Sequence, residues 1–173
     1  VQLSAWWVPS TNWAAVVLLH GAGENRNATL PQAAVLARHG YGVLMLDARG
    51  HGRSGGRGMD LGWYGDRDIT AAVDWVQHRG DVDATRIGVL GLSMGTEEAI
   101  GAAAADPRIR AVVAEGATGR TAADKAAWLP AGVSGALQRG IDRLDGSVAA
   151  ADLVEVPPPD PAAGALDDDL ERP

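Results

Sequence analysis

The feature that most constrains this chain is a serine in a tight turn between a strand pattern and a helix pattern. The apolar run at residues 86–92 leads into Gly91-Leu-Ser-Met-Gly95, and an alanine-rich segment at 96–105 follows. Glycines on either side of the serine let the backbone pass close to its neighbours. We therefore expect the Ser93 hydroxyl to be exposed at the end of a strand, with the positive end of a helix behind it.

Strand and helix patterns alternate along the first two thirds of the chain. Continuous apolar runs are typical of strands that are buried on both faces, and the intervening segments show helical spacing. Strands are predicted at residues 1–8 (an edge strand), 14–19, 42–46, 86–92 and 109–114, and helices at 30–39, 66–77 and 96–105. This order predicts an α/β fold with a doubly wound, mostly parallel sheet and helices on both faces.

The pattern changes after Glu115. Apolar residues recur at helical spacing over residues 129–144, although glycines interrupt the segment. Residues 147–173 are rich in alanine, proline and aspartate and contain seven acidic residues and one basic residue. We therefore predict a partial domain over residues 1–146 and an acidic, disordered tail over 147–173.

Composition and charge exclude several classes of function. The net charge is −7, but most of it lies in the predicted tail, so no basic stripe supports binding to nucleic acid. No apolar run reaches the roughly 18 residues that a membrane span requires, and no secretory leader pattern is visible, so a cytoplasmic location is expected. The chain has no cysteine, which excludes thiolate catalysis and cysteine-based zinc sites, and no metal or cofactor is expected. The oligomeric state is not indicated.

A second serine fits the same five-residue pattern. Gly52-Arg-Ser-Gly-Gly56 also reads Gly-x-Ser-x-Gly, but Ser54 lies several residues beyond its predicted strand, in a glycine-rich loop without a helix directly after it. The sequence context therefore favours Ser93 as the reactive serine and predicts an ordinary loop hydroxyl at Ser54.

Two further motifs follow the two strands that precede the Ser93 strand. His20-Gly-Ala-Gly23 comes directly after residues 14–19, and Asp47-Ala-Arg-Gly-His-Gly-Arg-Ser54 comes after residues 42–46. With three motifs in this order, residues 1–146 resemble the α/β-hydrolase superfamily, most closely its bacterial esterase, thioesterase and serine-aminopeptidase-like members. The resemblance implies that Ser93 is the nucleophile of a turn called the nucleophile elbow, and that the backbone N–H groups of Ala22 and Met94 form the oxyanion hole.

The same resemblance has topological consequences. It places the strand before His20 next to the strand before Ser93, with crossovers that leave in opposite directions, which makes a switch point where α/β sheets bind ligands. It also assigns Asp47, Arg49 and His51 mainly to the structure of their loop, with Asp47 and Arg49 as ionic anchors.

The catalytic base is the missing part of this resemblance. Enzymes of the family take an acid and then a histidine from segments after the nucleophile, yet His20, His39, His51 and His78 all precede Ser93. His51 is the only histidine expected on a loop that could reach Ser93, and Glu115 is a weak candidate for the acid. The fold is thus expected to be incomplete at its C-terminal side, as in a truncated member of the family.

The expected function is hydrolysis of a small acyl substrate, a carboxylic ester, thioester or small amide, through an acyl-enzyme on Ser93. Loss of one member of a catalytic triad leaves only residual catalysis, so the activity of this chain is in doubt. One alternative is a non-catalytic remnant of the fold. Another is a dinucleotide-binding domain, since Gly21-x-Gly23 and Asp47 match part of that fingerprint; however, Arg26 stands where the third glycine is needed.

Overall fold

The computed structural model describes residues 1–57 and 65–117 and the backbone of one short strand, 152–155. A 3₁₀ turn, Arg26–Thr29, precedes the first α-helix. The strands are β1 (Gln2–Val8), β2 (Trp13–Leu19), β3 (Gly42–Leu46), β4 (Val82–Leu92), β5 (Ile109–Glu115) and β6 (Asp152–Glu155), and the helices are α1 (Leu30–Arg38), α2 (Asp66–Gln77) and α3 (Met94–Ala105).

The sheet has the order β5-β4-β2-β3-β1-β6. Strands β2, β3, β4 and β5 pair in parallel, while β1 runs antiparallel to β3. The chain leaves β2 towards β3 on one side and leaves β4 towards β5 on the other, so the predicted switch point between β2 and β4 is confirmed. The mixed but mostly parallel sheet confirms the predicted fold class.

Helices cover both faces of the sheet, as the apolar runs predicted. On one face, buried residues of α2 and α3, such as Ile69, Val73 and Ala99, pack against β2, β3 and β4. On the other face, Ala33 of α1 packs in a smaller cluster with Leu18, Val43 and other strand residues. A strand that contacts helices on both sides must be apolar at every position, which explains the uninterrupted runs in β2 and β3.

One side of the sheet departs from the sequence predictions, and the other follows them. Strand β1 is not an edge strand, because β6 pairs with it in parallel. The predicted disorder of 147–173 is therefore wrong at Asp152–Glu155, while the rest of that tail lies outside the described residues. Strand β5 has the apolar run of a buried strand, but a fold that is incomplete at its C-terminal side was expected to leave the faces of this strand uncovered. Val113 is indeed 54% exposed, and β5 pairs only with β4 within the part of the chain that the structure describes. The apolar stripe at 129–144 also lies outside that part.

Asp47 organises the loop that follows β3. Its carboxylate accepts hydrogen bonds from the backbone N–H groups of Arg26 and Arg53, each at 2.8 Å, and pairs with the Arg26 guanidinium at 2.5 Å. Both side chains of this ion pair are buried, and burial lowers the pKa of Arg26, partly offset by the charge of Asp47. A second buried pair joins Arg49 to Asp68 of α2. The prediction that Asp47 and Arg49 are ionic anchors is confirmed.

Ser54 ties the same loop to β1. Its hydroxyl donates to the Asp47 carbonyl at 2.6 Å and accepts from the Ser4 N–H at 2.8 Å. The hydroxyl thus both donates a hydrogen bond to one backbone group and accepts a hydrogen bond from another. Ser54 is therefore the loop hydroxyl that the sequence predicted, in spite of its Gly-x-Ser-x-Gly pattern.

Replacing Asp47 by alanine should destabilise the fold strongly. The substitution leaves the buried Arg26 guanidinium without its counter-charge, and breaking a buried ion pair in this way costs about 3–5 kcal/mol. The free energy of unfolding, measured by urea denaturation, should fall by that amount. Asp83→Ala is the matched control, because Asp83 is exposed and its carboxylate bonds only to Thr85 among the residues that the structure describes. An equal loss in both variants would contradict the anchoring role of Asp47.

Candidate active site

Ser93 lies between β4 and α3 with an unusual backbone conformation. Its φ is 49° and its ψ is −113°, and a positive φ in a residue other than glycine marks a strained turn. The side chain is exposed at the carboxyl end of β4. The sharp turn thus presents the hydroxyl to solvent at the edge of the sheet, as the sequence predicted.

Hydrogen bonds from both neighbouring strands hold this turn. The Ser93 N–H donates to the Glu115 carbonyl at the end of β5 at 2.8 Å, and the Gly95 N–H donates to the His20 carbonyl after β2 at 3.2 Å. The Thr96 hydroxyl lies 2.7 Å from the Gly91 carbonyl oxygen and 2.8 Å from that of Glu115. The strained residue is therefore fixed on both sides by strands that are distant in sequence.

The two glycines of the motif permit these contacts. A Cβ atom on Gly95 would lie 2.7 Å from the Cβ and carbonyl oxygen of Leu19 and 2.8 Å from the carbonyl oxygen of His20. A Cβ atom on Gly91 would overlap the carbonyl group of Gly95. The neighbouring atoms are mostly backbone atoms and cannot rotate away, so α3 can approach β2 this closely only without side chains at 91 and 95.

The loop after β2 lies against Ser93. A Cβ atom on Gly21 would be 3.5 Å from the Ser93 Cβ atom, and Ala22 is exposed beside it. Met94 is the first residue of α3, so its N–H has no partner within the helix. Ala22 and Met94 thus belong to the two segments that meet at Ser93, and their role as oxyanion donors stays a prediction.

Glu115 reaches the site through its backbone. Its carbonyl oxygen receives the Ser93 N–H, whereas its side chain is exposed and makes no hydrogen bond within the residues that the structure describes. The structure therefore gives Glu115 a clear part in supporting the turn. Its candidacy as the catalytic acid remains a prediction.

His20 is buried beneath the loop in a defined tautomer. Its Nε2 accepts from the Ala48 N–H at 3.1 Å, so the proton lies on Nδ1, which donates to the Gly21 carbonyl at 2.7 Å. Burial lowers the pKa of His20, and the nearby His51 lowers it further, against the opposing effect of the bond to Gly21. A neutral His20 therefore serves as a structural link between the loops after β2 and β3.

His51 is half-exposed beside His20. The two rings are 5.1 Å apart, and the His51 Nδ1 lies 3.1 Å from the Arg49 carbonyl oxygen, to which it can donate. That bond leaves Nε2 as the nitrogen that could accept a proton. His51 is the only histidine that both lies on a loop at this edge of the sheet and has a partly exposed ring.

The geometry disfavours a dinucleotide site. The Asp47 carboxylate, which would have to bind a ribose, is 1% exposed and is already occupied by Arg26 and Arg53. Arg26 is buried against Trp6, with its guanidinium 4.6 Å from the ring centroid. Arg26, which stands where the dinucleotide-binding fingerprint requires its third glycine, is thus part of the core beneath the loop.

Two residues of the site were missed in the sequence. Thr96 closes the turn by its hydroxyl, and Glu24 bonds the Gly21 N–H through its carboxylate. The only sequence signal for Glu24 is its position three residues after Gly21, the spacing at which a side chain can bond back to a turn.

Among the described residues, no three His, Asp or Glu side chains are grouped to hold a metal ion. None of the helices described is long and apolar enough to cross a membrane. The aromatic residues Trp63, Tyr64 and Trp128 lie outside the described parts of the chain.

The sheet order and the serine turn define an α/β-hydrolase fold, and comparison with known proteins agrees. The family model of the serine aminopeptidases, S33, matches residues 10–153. The chain therefore belongs to the S33 serine aminopeptidase family of α/β-hydrolases.

Individual relatives extend well beyond this chain. An uncharacterized protein of Mycobacterium tuberculosis is 33% identical over 110 residues, which is 62% of this chain and 38% of the relative. The Pyrococcus furiosus esterase Pf2001 superposes with a TM-score of 0.60 at 34% identity, covering 64% of this chain and 45% of the esterase. The α/β-hydrolase GrgF from Penicillium has a TM-score of 0.59 at 26% identity, covering 83% and 50%. The chain thus spans half or less of these proteins.

Replacing Gly95 by alanine should disrupt the turn. The new methyl group would overlap backbone atoms of Leu19 and His20, and overpacking of this kind costs about 1–3 kcal/mol. Thermal unfolding should show a lower melting temperature. Gly80→Ala is the matched control, because a Cβ atom there meets nothing within 4 Å. A melting temperature that is unchanged in Gly95→Ala would refute the close approach of α3 to β2.

His20 should make stability depend on pH. Because its folded-state pKa is lowered, its contribution is complete above the ordinary value of 6.5 and is lost as the pH falls below it. Urea unfolding from pH 8 to pH 5 should show a steeper loss of stability in the wild type than in His20→Asn. His39→Asn, at an exposed helix end, should keep the wild-type slope; a flat wild-type profile would contradict the assignment.

Proposed function

We propose that the chain carries the nucleophile and oxyanion half of a serine hydrolase that acts on carboxylic ester, thioester or small amide bonds. The observation that carries the proposal is the exposed Ser93 at φ 49°, held between β4 and α3 with the Gly21 loop against it. Relatives with solved structures include an esterase that is 34% identical, which supports the same class of reaction.

The proposed mechanism is acyl transfer to Ser93. The Ser93 Oγ attacks the carbonyl carbon of the substrate, a base accepts its proton, and the carbonyl oxygen becomes an oxyanion. In this mechanism the N–H groups of Ala22 and Met94 donate to that oxyanion, and the positive end of the 12-residue helix α3 adds to its stabilisation. The alcohol, thiol or amine then leaves with a proton, and water releases the acyl group from the serine.

The base is the part of this mechanism that the described residues do not provide in full. His51 has the one partly exposed ring on a loop at this sheet edge, and Glu115 has an exposed carboxylate after β5. We infer that turnover by this chain is slow, at the level that oxyanion stabilisation alone supports, about 10³–10⁴-fold over water in enzymes that lack a triad member.

A non-catalytic role is the second candidate. It is favoured by one observation, that all four histidines of the sequence precede Ser93. A protein of this kind would bind an acyl compound at the switch point between β2 and β4 without hydrolysing it.

A fluorophosphonate probe should label Ser93 covalently but slowly, because the described residues do not provide the base in full. The label should be absent in Ser93→Ala and present in Ser54→Ala, the matched control with the same five-residue pattern, since the Ser54 hydroxyl is occupied by backbone groups. Mass spectrometry of the labelled peptide identifies the site, and circular dichroism confirms that both variants fold.

Hydrolysis of 4-nitrophenyl acetate separates the two candidates. Turnover that disappears in Ser93→Ala supports the hydrolase, while labelling without turnover supports the non-catalytic role. Equal labelling of wild type and Ser93→Ala would refute the assignment of Ser93 as the nucleophile.

A further inference from the structure

We propose that Glu24 is a positioning residue for the oxyanion hole, which holds the Gly21–Ala22 peptide so that the Ala22 N–H faces the reacting oxygen. The inference rests on the proposed function of Ser93. It assigns a role to an exposed carboxylate that the mechanism above does not use.

Glu24 is bonded to Gly21 in two ways. Its carboxylate Oε2 accepts from the Gly21 N–H at 2.9 Å, and its own N–H approaches the Gly21 carbonyl at 3.3 Å. The side chain is exposed and could extend into water instead. A hydrogen bond from a backbone N–H to an ionised carboxylate is stronger than one between neutral groups. This explains why the Glu24 side chain folds back onto the loop.

These bonds determine the direction of the next peptide. The Gly21 carbonyl also accepts from the His20 Nδ1 at 2.7 Å, so this C=O group has two donors. The Glu24 carboxylate holds the N–H on the other side of the Gly21 Cα, and together these bonds restrict both backbone torsions of Gly21. Because a trans peptide is planar, its N–H points away from its C=O. The Ala22 N–H is therefore held on the side opposite to His20 and to the Glu24 backbone.

The Gly21–Ala22 peptide lies next to Ser93. The position that a Cβ atom on Gly21 would occupy is 2.7 Å from the Glu24 Oε2 and 3.5 Å from the Ser93 Cβ. The Gly21 N–H is engaged by the carboxylate, so the proposal assigns the oxyanion to the next N–H group, that of Ala22. Gly23, at φ 74°, lets the loop change its conformation once the hydrogen bond from the Gly21 N–H to the Glu24 carboxylate is lost.

Glu24→Ala and Glu24→Gln separate the hydrogen bond from the charge. Alanine removes the acceptor, whereas glutamine keeps an acceptor oxygen at the same place and removes the negative charge. If Glu24 acts through its bond to Gly21, glutamine restores function. A carboxylate charge close to a developing oxyanion is itself unfavourable, so its removal should not slow the reaction.

The rate of phosphorylation of Ser93 by diethyl 4-nitrophenyl phosphate is the measurement: the Ser93 Oγ forms a bond to phosphorus and displaces 4-nitrophenol, whose release is the signal. Glu24→Ala should lower the maximal inactivation rate by about 10- to 100-fold, near the effect of misplacing a catalytic group, with little change in the concentration for half-maximal rate. Glu24→Gln should react like the wild type. Asn27→Ala is the control, an exposed residue of the 3₁₀ turn that follows this loop, whose side chain makes no hydrogen bond among the described residues.

Amide hydrogen exchange supplies a second readout that is independent of reactivity. The Gly21 N–H should exchange faster in Glu24→Ala and remain protected in Glu24→Gln. An unchanged inactivation rate in Glu24→Ala, or a Glu24→Gln variant as slow as Glu24→Ala, would overturn the role of Glu24 alone. Absence of any reaction at Ser93 in the wild type would overturn the proposed function and the role of Glu24 with it.

Discussion

The close approach of the first turn of α3 to the end of β2 is the contact on which the rest of the site depends. It brings the Gly95 N–H to the His20 carbonyl and leaves no room for a side chain at Gly95 or Gly91. With the helix held there, Ser93 has to take a positive φ to connect it to β4. The strain is confined to this turn. Hydrogen bonds to the carbonyl of His20 after β2 and to that of Glu115 at the end of β5 hold the turn in place.

Beneath this contact, buried polar groups join the loops at the same edge of the sheet. The ion pair of Arg26 and Asp47 connects the segment after β2 with the loop after β3, and neutral His20 connects the same two loops by hydrogen bonds. Buried charges and donors are costly unless each has a partner. Because these partners come from different loops, the position of one loop depends on that of the other, and both are positioned relative to Ser93.

Much of the fold could be predicted from periodicity, since β3 and α2 have the predicted bounds and the order of elements is as expected. The apolar run of β5 alone did not predict its exposure, because such a run shows that a strand can be buried without showing what covers it; the exposure was expected only from the missing C-terminal part of the fold. The strand β6 beside β1 was not predicted from the sequence. Glu24 and Thr96 were also missed. Their bonds join a side chain to a backbone group whose position follows from the packing of other elements, and no spacing in the sequence encodes that position.

The sequence by itself determined the alternation of strands and helices and the turn at Ser93, because local periodicity and flanking glycines are sufficient for both. It also favoured Ser93 over Ser54, the other serine in the same pattern, as the candidate nucleophile. Only the tertiary structure gave the physical reason for the difference between these two serines. The Ser54 hydroxyl is taken up by backbone groups of β1 and of the loop after β3, whereas the Ser93 hydroxyl is exposed, since strands distant in sequence hold its backbone and leave its side chain at the surface.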